Sequence, residues 1–256
     1  MNPLLDLDAR LVIAHRGASG GAPENTLQAF ERAVQEGADA LELDVRLSRD
    51  GAPVVMHDAT LERTTDHTGP VRAQTLADLR SVDAGYRFTP DQGRTFPFRA
   101  TGVRIPTLGE VLWAFPGVPV LIEVKEPEVQ AAVQRVLVTE GATERCVVAS
   151  EHAEALELFR EPPFVCAASG PEISALYRAS LLRLGSPPVR YRLLSVPTKH
   201  RMLTVPTARF VAAARRLGCP VHVWTVNDTA TARTLWSRGV AGIVTDLPKA
   251  IRAGRP

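Results

Sequence analysis

The feature that most constrains the fold is a series of short, continuous apolar runs that alternate with polar, helix-compatible segments. Eight runs are distinguishable, at residues 11–14, 40–45, 118–124, 146–149, 164–168, 193–196, 221–226 and 241–244. Runs of Val, Ile and Leu without alternation are typical of parallel strands buried on both faces. Eight strands alternating with helices in 256 residues predict an α/β fold, a (β/α)8 TIM barrel, with a doubly wound open sheet as the alternative.

Three of the segments between these runs carry clear helix signals. They span residues 25–37, 126–139 and 206–218. The first opens on Asn25-Thr26, which can cap a helix, and each of the other two has apolar residues at helical spacing. These segments are predicted to pack against the sheet.

One stretch, at about residues 58–108, interrupts the alternation. We interpret it as a small insertion subdomain after strand 2 of a single domain that covers residues 1–256. In a chain that is only 5% aromatic, four aromatic residues cluster there: Tyr86, Phe88, Phe96 and Phe98. Two interpretations stay open, a packed loop with its own hydrophobic anchor or a lid or rim that faces the substrate at the barrel mouth.

Composition excludes several classes of protein. A hydrophobic content of 45% and a charged content of 23% exclude intrinsic disorder. The net charge of +2 is too small for nucleic-acid binding by phosphate neutralisation. Three widely spaced cysteines argue against a disulfide framework or a thiolate zinc site. No membrane-length apolar stretch and no signal-peptide pattern are found, so we expect a cytoplasmic protein without stable membrane insertion, either a monomer or a homodimer.

Acidic side chains recur at the ends of the predicted strands. Glu42 and Asp44 end the second strand, and Glu123 and Lys125 end the third. Residues i and i+2 of a strand share a face, so three carboxylates point toward one axis. Oxygen ligands without cysteine favour Mg²⁺ or Ca²⁺ over zinc. The alternative is a set of ion pairs with neighbouring arginines and Lys125.

Two histidines form a second group of candidate functional residues at the same end of the predicted barrel. His15 and His57 each stand beside a charged residue, which suits a general acid/base pair. Arg16 can offer bidentate donors and Lys125 a point charge, and together they suit a phosphate oxyanion.

Three further residues near the predicted strand ends have simpler interpretations. Trp224 is either core packing or an apolar wall that holds the organic part of a substrate. His222 is expected to be a buried core histidine. Asp246 is expected to cap the turn or helix after the last strand.

Six sequence blocks together resemble a known family. HRGASGGAPENTLQAF and LELDVRLSRDGAPVVMHDATLERTT resemble the first two signature blocks of the glycerophosphodiester phosphodiesterase family. IPTLGEVL, LIEVK, HVWTVND and GIVTDLP resemble its later blocks, in the same order. The resemblance covers essentially the whole chain and is weakest over residues 170–192, so it leaves the size and polarity of the substrate open.

The resemblance implies a TIM barrel, with the insertion as the small subdomain of the family, and it implies roles for particular residues. The implied metal ligands are Glu42, Asp44 and Glu123. The implied catalytic pair is His15 and His57. The implied phosphate-binding or site-organising residues are Arg16, Asn25 and Lys125, and Trp224 is an implied substrate contact.

The implied reaction is metal-dependent hydrolysis of a glycerophosphodiester to glycerol 3-phosphate and an alcohol. The glycerol 2-hydroxyl attacks first and gives a cyclic phosphate, with His15 as base and His57 as acid, and water then opens the ring. The nearest alternative is a lysophospholipase D that uses the loop from Tyr86 to Phe98 as an apolar rim. A non-catalytic phosphodiester-binding barrel and a metal-dependent sugar-phosphate isomerase or aldolase are the more distant ones.

Overall fold

A computed structural model describes residues 2–182 and 189–256 and arranges the parallel strands as a barrel. In chain order the strands are β1 (Leu11–His15), β2 (Ala40–Leu47), β3 (Pro53–Val55), β4 (Val120–Val124), β5 (Cys146–Ala149), β6 (Leu194–Pro197), β7 (Lys199–His200), β8 (Leu203–Thr204), β9 (Val221–Trp224) and β10 (Gly242–Thr245).

The parallel strands lie in the order β5-β4-β2-β1-β10-β9-β6, and β3 pairs with β2 in the antiparallel sense. The gap between β5 and β6 is filled by the run at 164–168. There Cys166 bridges Val148 and Ala167 bridges Leu193, both in the parallel sense. This run forms isolated bridges instead of a regular strand, although its backbone hydrogen-bonds to both neighbouring strands. The TIM barrel prediction is confirmed, and the open-sheet alternative is wrong.

Most helices follow the strands around the outside of the barrel, and one short helix lies in the segment after β3. They are α1 (Leu27–Gln35), α2 (Leu76–Ser81), α3 (Leu108–Ala114), α4 (Gln130–Thr139), α5 (Gly170–Leu182), α6 (Ala208–Arg216), α7 (Thr229–Ser237) and α8 (Pro248–Ala253). The hydroxyls of Thr26 and Thr207 cap α1 and α6, because each accepts a hydrogen bond from a first-turn amide. Throughout the described part of the chain, the helices are too short or too polar to cross a bilayer.

Alternate residues of each strand enter two different cores. In β1, Val12 packs between the barrel and its helices, whereas Leu11 and Ile13 fill the barrel interior. Leu4, from a short 3-10 helix at Pro3–Leu5, also packs into the interior. Both faces of the strands are therefore buried, which explains why the apolar runs are continuous.

The segment between β3 and α3 has a hydrophobic cluster of its own. Its buried members are Val54, Met56, Leu61, Val71, Leu79, Val82, Ala84, Val103 and Ile105. Phe98 packs against this cluster and contacts Phe88 edge-on, at 5.3 Å between ring centroids. The Arg99 guanidinium lies over the rings of Tyr86 and Phe96, at 4.1 and 3.9 Å. These contacts favour the packed-loop interpretation of the aromatic stretch.

The chain turns sharply after β1 at Gly17, and this position requires glycine. Its φ is +85°, and a Cβ there would lie 2.6 Å from the carbonyl carbon of Ala29 in α1. We expect Gly17→Ala to lower the free energy of unfolding by about 3 kcal/mol, since backbone strain and a clash with α1 both contribute. Urea denaturation measures this. Gly51→Ala is the matched control, because Gly51 has a similar φ of +84° and open space around it. Equal losses in the two variants would exclude the clash with α1.

Candidate active site

The carboxyl ends of β1, β2 and β4 bring the predicted polar residues together. In the strand register, His15 lies beside Glu42, and Asp44 lies beside Glu123. These side chains continue the inward-facing rows of the strands, beyond the apolar residues that fill the barrel interior. The polar groups therefore meet at one mouth of the barrel.

Three carboxylates form the centre of this mouth. Oxygen atoms of Glu42, Asp44 and Glu123 all lie within 4.8 Å of one another. Glu42 and Asp44 are buried, and Glu123 is half-buried. The Lys125 ammonium lies 2.8 Å from both Asp44 Oδ1 and Glu123 Oε1. The ion pairs offered as an alternative to a metal site thus exist, and they involve only part of the acidic cluster.

Asp44 is the carboxylate with the most positive surroundings. Arg16 Nε lies 3.1 Å from Asp44 Oδ2, and Asn25 Nδ2 donates to the same oxygen at 2.9 Å. Burial alone would raise the pKa of Asp44, but the charges of Lys125 and Arg16 outweigh burial and lower it. Asp44 is therefore held as a carboxylate. The helix cap is provided by the neighbouring Thr26. The Asn25 side chain instead orients Asp44.

Glu42 shows the opposite behaviour. Burial and the neighbouring charge of Asp44 raise the pKa of Glu42 well above its usual range. Glu42 Oε2 accepts one hydrogen bond from the backbone amide of Arg16. The cluster thus contains a buried carboxylate whose charge the protein itself leaves poorly compensated. An oxygen-only donor set with excess negative charge fits a hard divalent cation such as Mg²⁺ or Ca²⁺.

His15 is anchored by the last strand of the barrel. Its Nδ1 lies 2.7 Å from Asp246 Oδ1, and Ser19 and Asn227 donate to the same carboxylate. Burial lowers the pKa of His15, but the hydrogen bond to Asp246 and the charge of Glu42 outweigh burial and raise it. The expectation that Asp246 caps the turn or helix after the last strand is wrong, because its carboxylate binds these three side chains instead. The residue before α8 is Leu247, which provides no side-chain cap.

His57 is anchored by the segment that follows β3. Its Nδ1 lies 2.6 Å from Asp58 Oδ1, and Arg63 donates to the Asp58 carboxylate. Arg63 also binds Glu24 through two hydrogen bonds of 2.7 Å, and Glu24 accepts from Arg16 at 2.9 Å. Sequence reasoning missed Glu24 and Arg63. Both residues lie in the signature blocks, which was the available signal that they matter. Their contact could not be predicted from a local pattern, because the two residues are 39 positions apart.

A cavity of about 700 Å³ opens beside the acidic cluster. Glu123 and Trp224 line it, together with residues that follow β5, β6 and the 164–168 bridges. Trp224 thus lies at a cavity wall, while His222, two residues earlier in β9, is fully buried as expected. Within the described chain, the lining of this cavity does not include Tyr86, Phe88, Phe96 or Phe98. The structure therefore gives no support to the aromatic loop as its rim.

Replacing Asp246 with asparagine is expected to lower kcat by about 10–100-fold, because His15 loses the partner that fixes its tautomer. Without the carboxylate, the pKa of His15 falls, so the limb of the pH–rate profile due to His15 moves to lower pH. Steady-state kinetics between pH 5 and 9 measure both effects. Asp66→Asn is the matched control, because Asp66 holds the exposed His67 in the same way, at 2.9 Å. An unshifted profile would exclude this role.

Comparison with known proteins agrees with this geometry. A model of the "Glycerophosphoryl diester phosphodiesterase family" matches residues 15–250. The chain belongs to this family of enzymes. Within the family, the chain is 32% identical over 249 residues to the glycerophosphodiester phosphodiesterase of Caldanaerobacter subterraneus, covering 94% of this chain and 96% of the relative.

Solved structures of the family share the barrel. The glycerophosphoryl diester phosphodiesterase domain of a Mycobacterium tuberculosis protein superposes with a TM-score of 0.86, covering 96% of this chain and 98% of that domain, at 24% identity. A phosphodiesterase of Oleispira antarctica, in complex with the product sn-glycerol-3-phosphate, has a TM-score of 0.76 and 29% identity, covering 95% of this chain and 96% of its own. The first similarity concerns the fold alone.

Proposed function

We propose that this protein hydrolyses glycerophosphodiesters to glycerol 3-phosphate and an alcohol. The observation that carries the proposal is the pair of histidines at the acidic cluster, each with Nδ1 bound to a carboxylate. Such a partner selects the tautomer that leaves Nε2 free to take or give a proton. The family membership and the product bound to the Oleispira antarctica enzyme support the same reaction.

In the first step, the glycerol 2-hydroxyl attacks phosphorus and displaces the alcohol, which gives a cyclic phosphate. His15 takes the proton from the hydroxyl, and His57 protonates the departing alkoxide. In the second step, water opens the ring and the two roles reverse. The raised pKa of His15 makes its neutral form a stronger base for the first step, and it favours retention of the accepted proton until the second step.

Arg16 and Lys125 are proposed to bind the phosphate oxygens, and Trp224 to contact the organic part of the substrate. Asn25 and Glu24 orient Asp44 and Arg16 through their hydrogen bonds. Glu42, Asp44 and Glu123 would hold Mg²⁺ or Ca²⁺, which supplies positive charge to the phosphate when bound. A binding module without turnover has no need for two histidines so anchored.

Release of glycerol 3-phosphate from glycerophosphocholine and glycerophosphoethanolamine tests the proposal. The assay is run with Mg²⁺, with Ca²⁺ and with a chelator, and His15→Ala provides the blank. We expect metal-dependent release that the variant lacks. Release that is equal in the wild type and in His15→Ala would contradict the scheme.

A further inference from the structure

The cavity beside Trp224 has walls that the hydrolysis of a small glycerophosphodiester does not explain. We propose that it binds a long apolar chain, so that the preferred substrate is a glycerophosphodiester carrying one acyl or alkyl chain. The inference rests on the proposed function. It places the apolar surface on the side of α5 and the β7–β8 hairpin, away from the aromatic insertion.

The walls of the cavity are mainly apolar. The lining side chains without a polar group are Ala149, Ala168, Ile173, Pro197, Leu203 and Val205. Tyr177 adds its ring, and its hydroxyl donates to the carbonyl of Thr204 at 3.2 Å. The phenol is therefore tied to the hairpin backbone and presents mostly ring surface to the cavity.

The polar groups of the lining are poorly placed to recognise a sugar or a small charged alcohol. Ser150 is buried, and its hydroxyl already donates to the Val124 carbonyl at 2.7 Å. His152, Arg178 and His200 are exposed, as are Glu151 and Ser174, and Ser195 of β6 is half-buried. Exposed side chains of this kind stay hydrated and leave the interior apolar. A polar alcohol placed there would lose most of its hydrogen bonds to water, because few polar groups of the lining lie away from solvent.

The size and the position of the cavity point to the same ligand. A volume of about 700 Å³ lies within the range of cavities that enclose whole small molecules. Glu123 lines the cavity, so a group bound there is continuous with the proposed phosphate site. In the β7–β8 hairpin, Met202 of the turn is 95% exposed and Leu203 of β8 is 55% exposed. An exposed apolar edge of this kind suits a chain that extends beyond the cavity.

The acyl or alkyl chain of the substrate takes no part in bond making. In the net reaction, the oxygen of water bonds to phosphorus and the bond between phosphorus and the alcohol oxygen breaks. The alcohol leaves with one proton of the water. The apolar chain of the substrate contributes through its burial, since each methylene removed from water favours binding by about fourfold.

Three substrates test the inference at concentrations below their critical micelle concentrations. Glycerophosphocholine has no chain, 1-decanoyl-glycerophosphocholine carries it on the glycerol, and the decyl ester of glycerol 3-phosphate carries it on the alcohol. We expect kcat/KM for at least one chain-bearing substrate to exceed that for glycerophosphocholine by tenfold or more. The preferred one identifies which side of the phosphate faces the cavity.

Leu203→Asp places a charge in the cavity wall. We expect it to lower, at least tenfold, the ratio of kcat/KM for the preferred chain-bearing substrate to kcat/KM for glycerophosphocholine. A ratio measured within one variant is independent of the fraction that is folded. Leu158→Asp is the matched control, because Leu158 is 40% exposed and lies outside the cavity lining. It should leave the ratio unchanged.

Hydrolysis of glycerophosphocholine without a preference for either chain-bearing substrate would overturn the inference and leave the proposed function intact. A preference that Leu203→Asp does not alter would also overturn it, because the chain would then bind elsewhere. Hydrolysis of none of the three substrates would overturn the proposed function together with the inference.

Discussion

Replacing His57 with alanine is expected to lower kcat for glycerophosphocholine by roughly 10²–10⁴-fold, with KM changed much less. The loss reflects the missing proton transfer to the departing alkoxide, which is a transition-state interaction. His57 is one-third exposed, and its ring contacts Asp58 at the protein surface, so the variant should fold normally.

The chain offers a close control for this experiment. His67 binds the adjacent Asp66 through Nδ1 at 2.9 Å, in the same local geometry as His57 and Asp58, and it is half exposed. His67→Ala should retain full activity and stability. Steady-state kinetics and thermal denaturation of both variants make the comparison. Full activity of His57→Ala on an unactivated substrate would remove His57 from the scheme.

Without bound metal, neutralising substitutions of Asp44 and Glu42 are expected to change the free energy of unfolding in opposite directions. Asp44→Asn leaves Lys125 and Arg16 without their common partner and should lower the free energy of unfolding by about 3 kcal/mol. Glu42→Gln removes a charge that burial and Asp44 disfavour. It should raise the free energy of unfolding at pH 8 by about 2 kcal/mol.

The sign for Glu42 follows from proton linkage. Its pKa is higher in the folded state than in the unfolded state, so the folded protein binds its proton more tightly. Stability is then lost as the pH rises from the unfolded pKa through the folded pKa, and Glu42→Gln abolishes that loss. Asp44 has a lowered pKa, so its contribution is present at neutral pH and is lost as the pH falls.

Urea denaturation at pH 8 with a chelator measures both variants, and urea denaturation of the wild type from pH 5 to 8 tests the linkage. Both variants should lose metal-dependent activity. Mg²⁺ or Ca²⁺ at 100 times its Kd should stabilise the wild type by about 2.7 kcal/mol and stabilise neither variant. Stability changes of the same sign in Asp44→Asn and Glu42→Gln would contradict this account of the charges.

Much of the architecture could be predicted because it depends on short-range patterns. Continuous apolar runs indicated strands buried on both faces, and seven of the eight runs are regular strands of the barrel. The i, i+2 spacing correctly placed Glu42 and Asp44 on one face of β2, where their carboxylates meet that of Glu123. Lys125, just after β4, contacts Asp44 and Glu123. The eighth apolar run, at 164–168, forms only isolated bridges.

The misses concern contacts between distant parts of the chain. Asp246 was interpreted as a cap, because an aspartate after a strand commonly caps the next turn. Its true partner, His15, is 231 positions away, and the two meet only because barrel closure pairs β10 with β1. Arg63 and Glu24 were likewise missed, since each is an ordinary charged residue until the segment after β3 packs against the loop after β1.

The sequence by itself determined the α/β alternation, the strand faces and the types of residue at the strand ends. Local chemistry decides these, because the periods of strands and helices are properties of the backbone. Only the tertiary structure decided that Asp246 anchors His15, how the charge of Glu42 differs from that of Asp44, and which surface lines the large cavity. Pairing, burial and cavity shape depend on how distant segments pack, and no local pattern of residues encodes that packing.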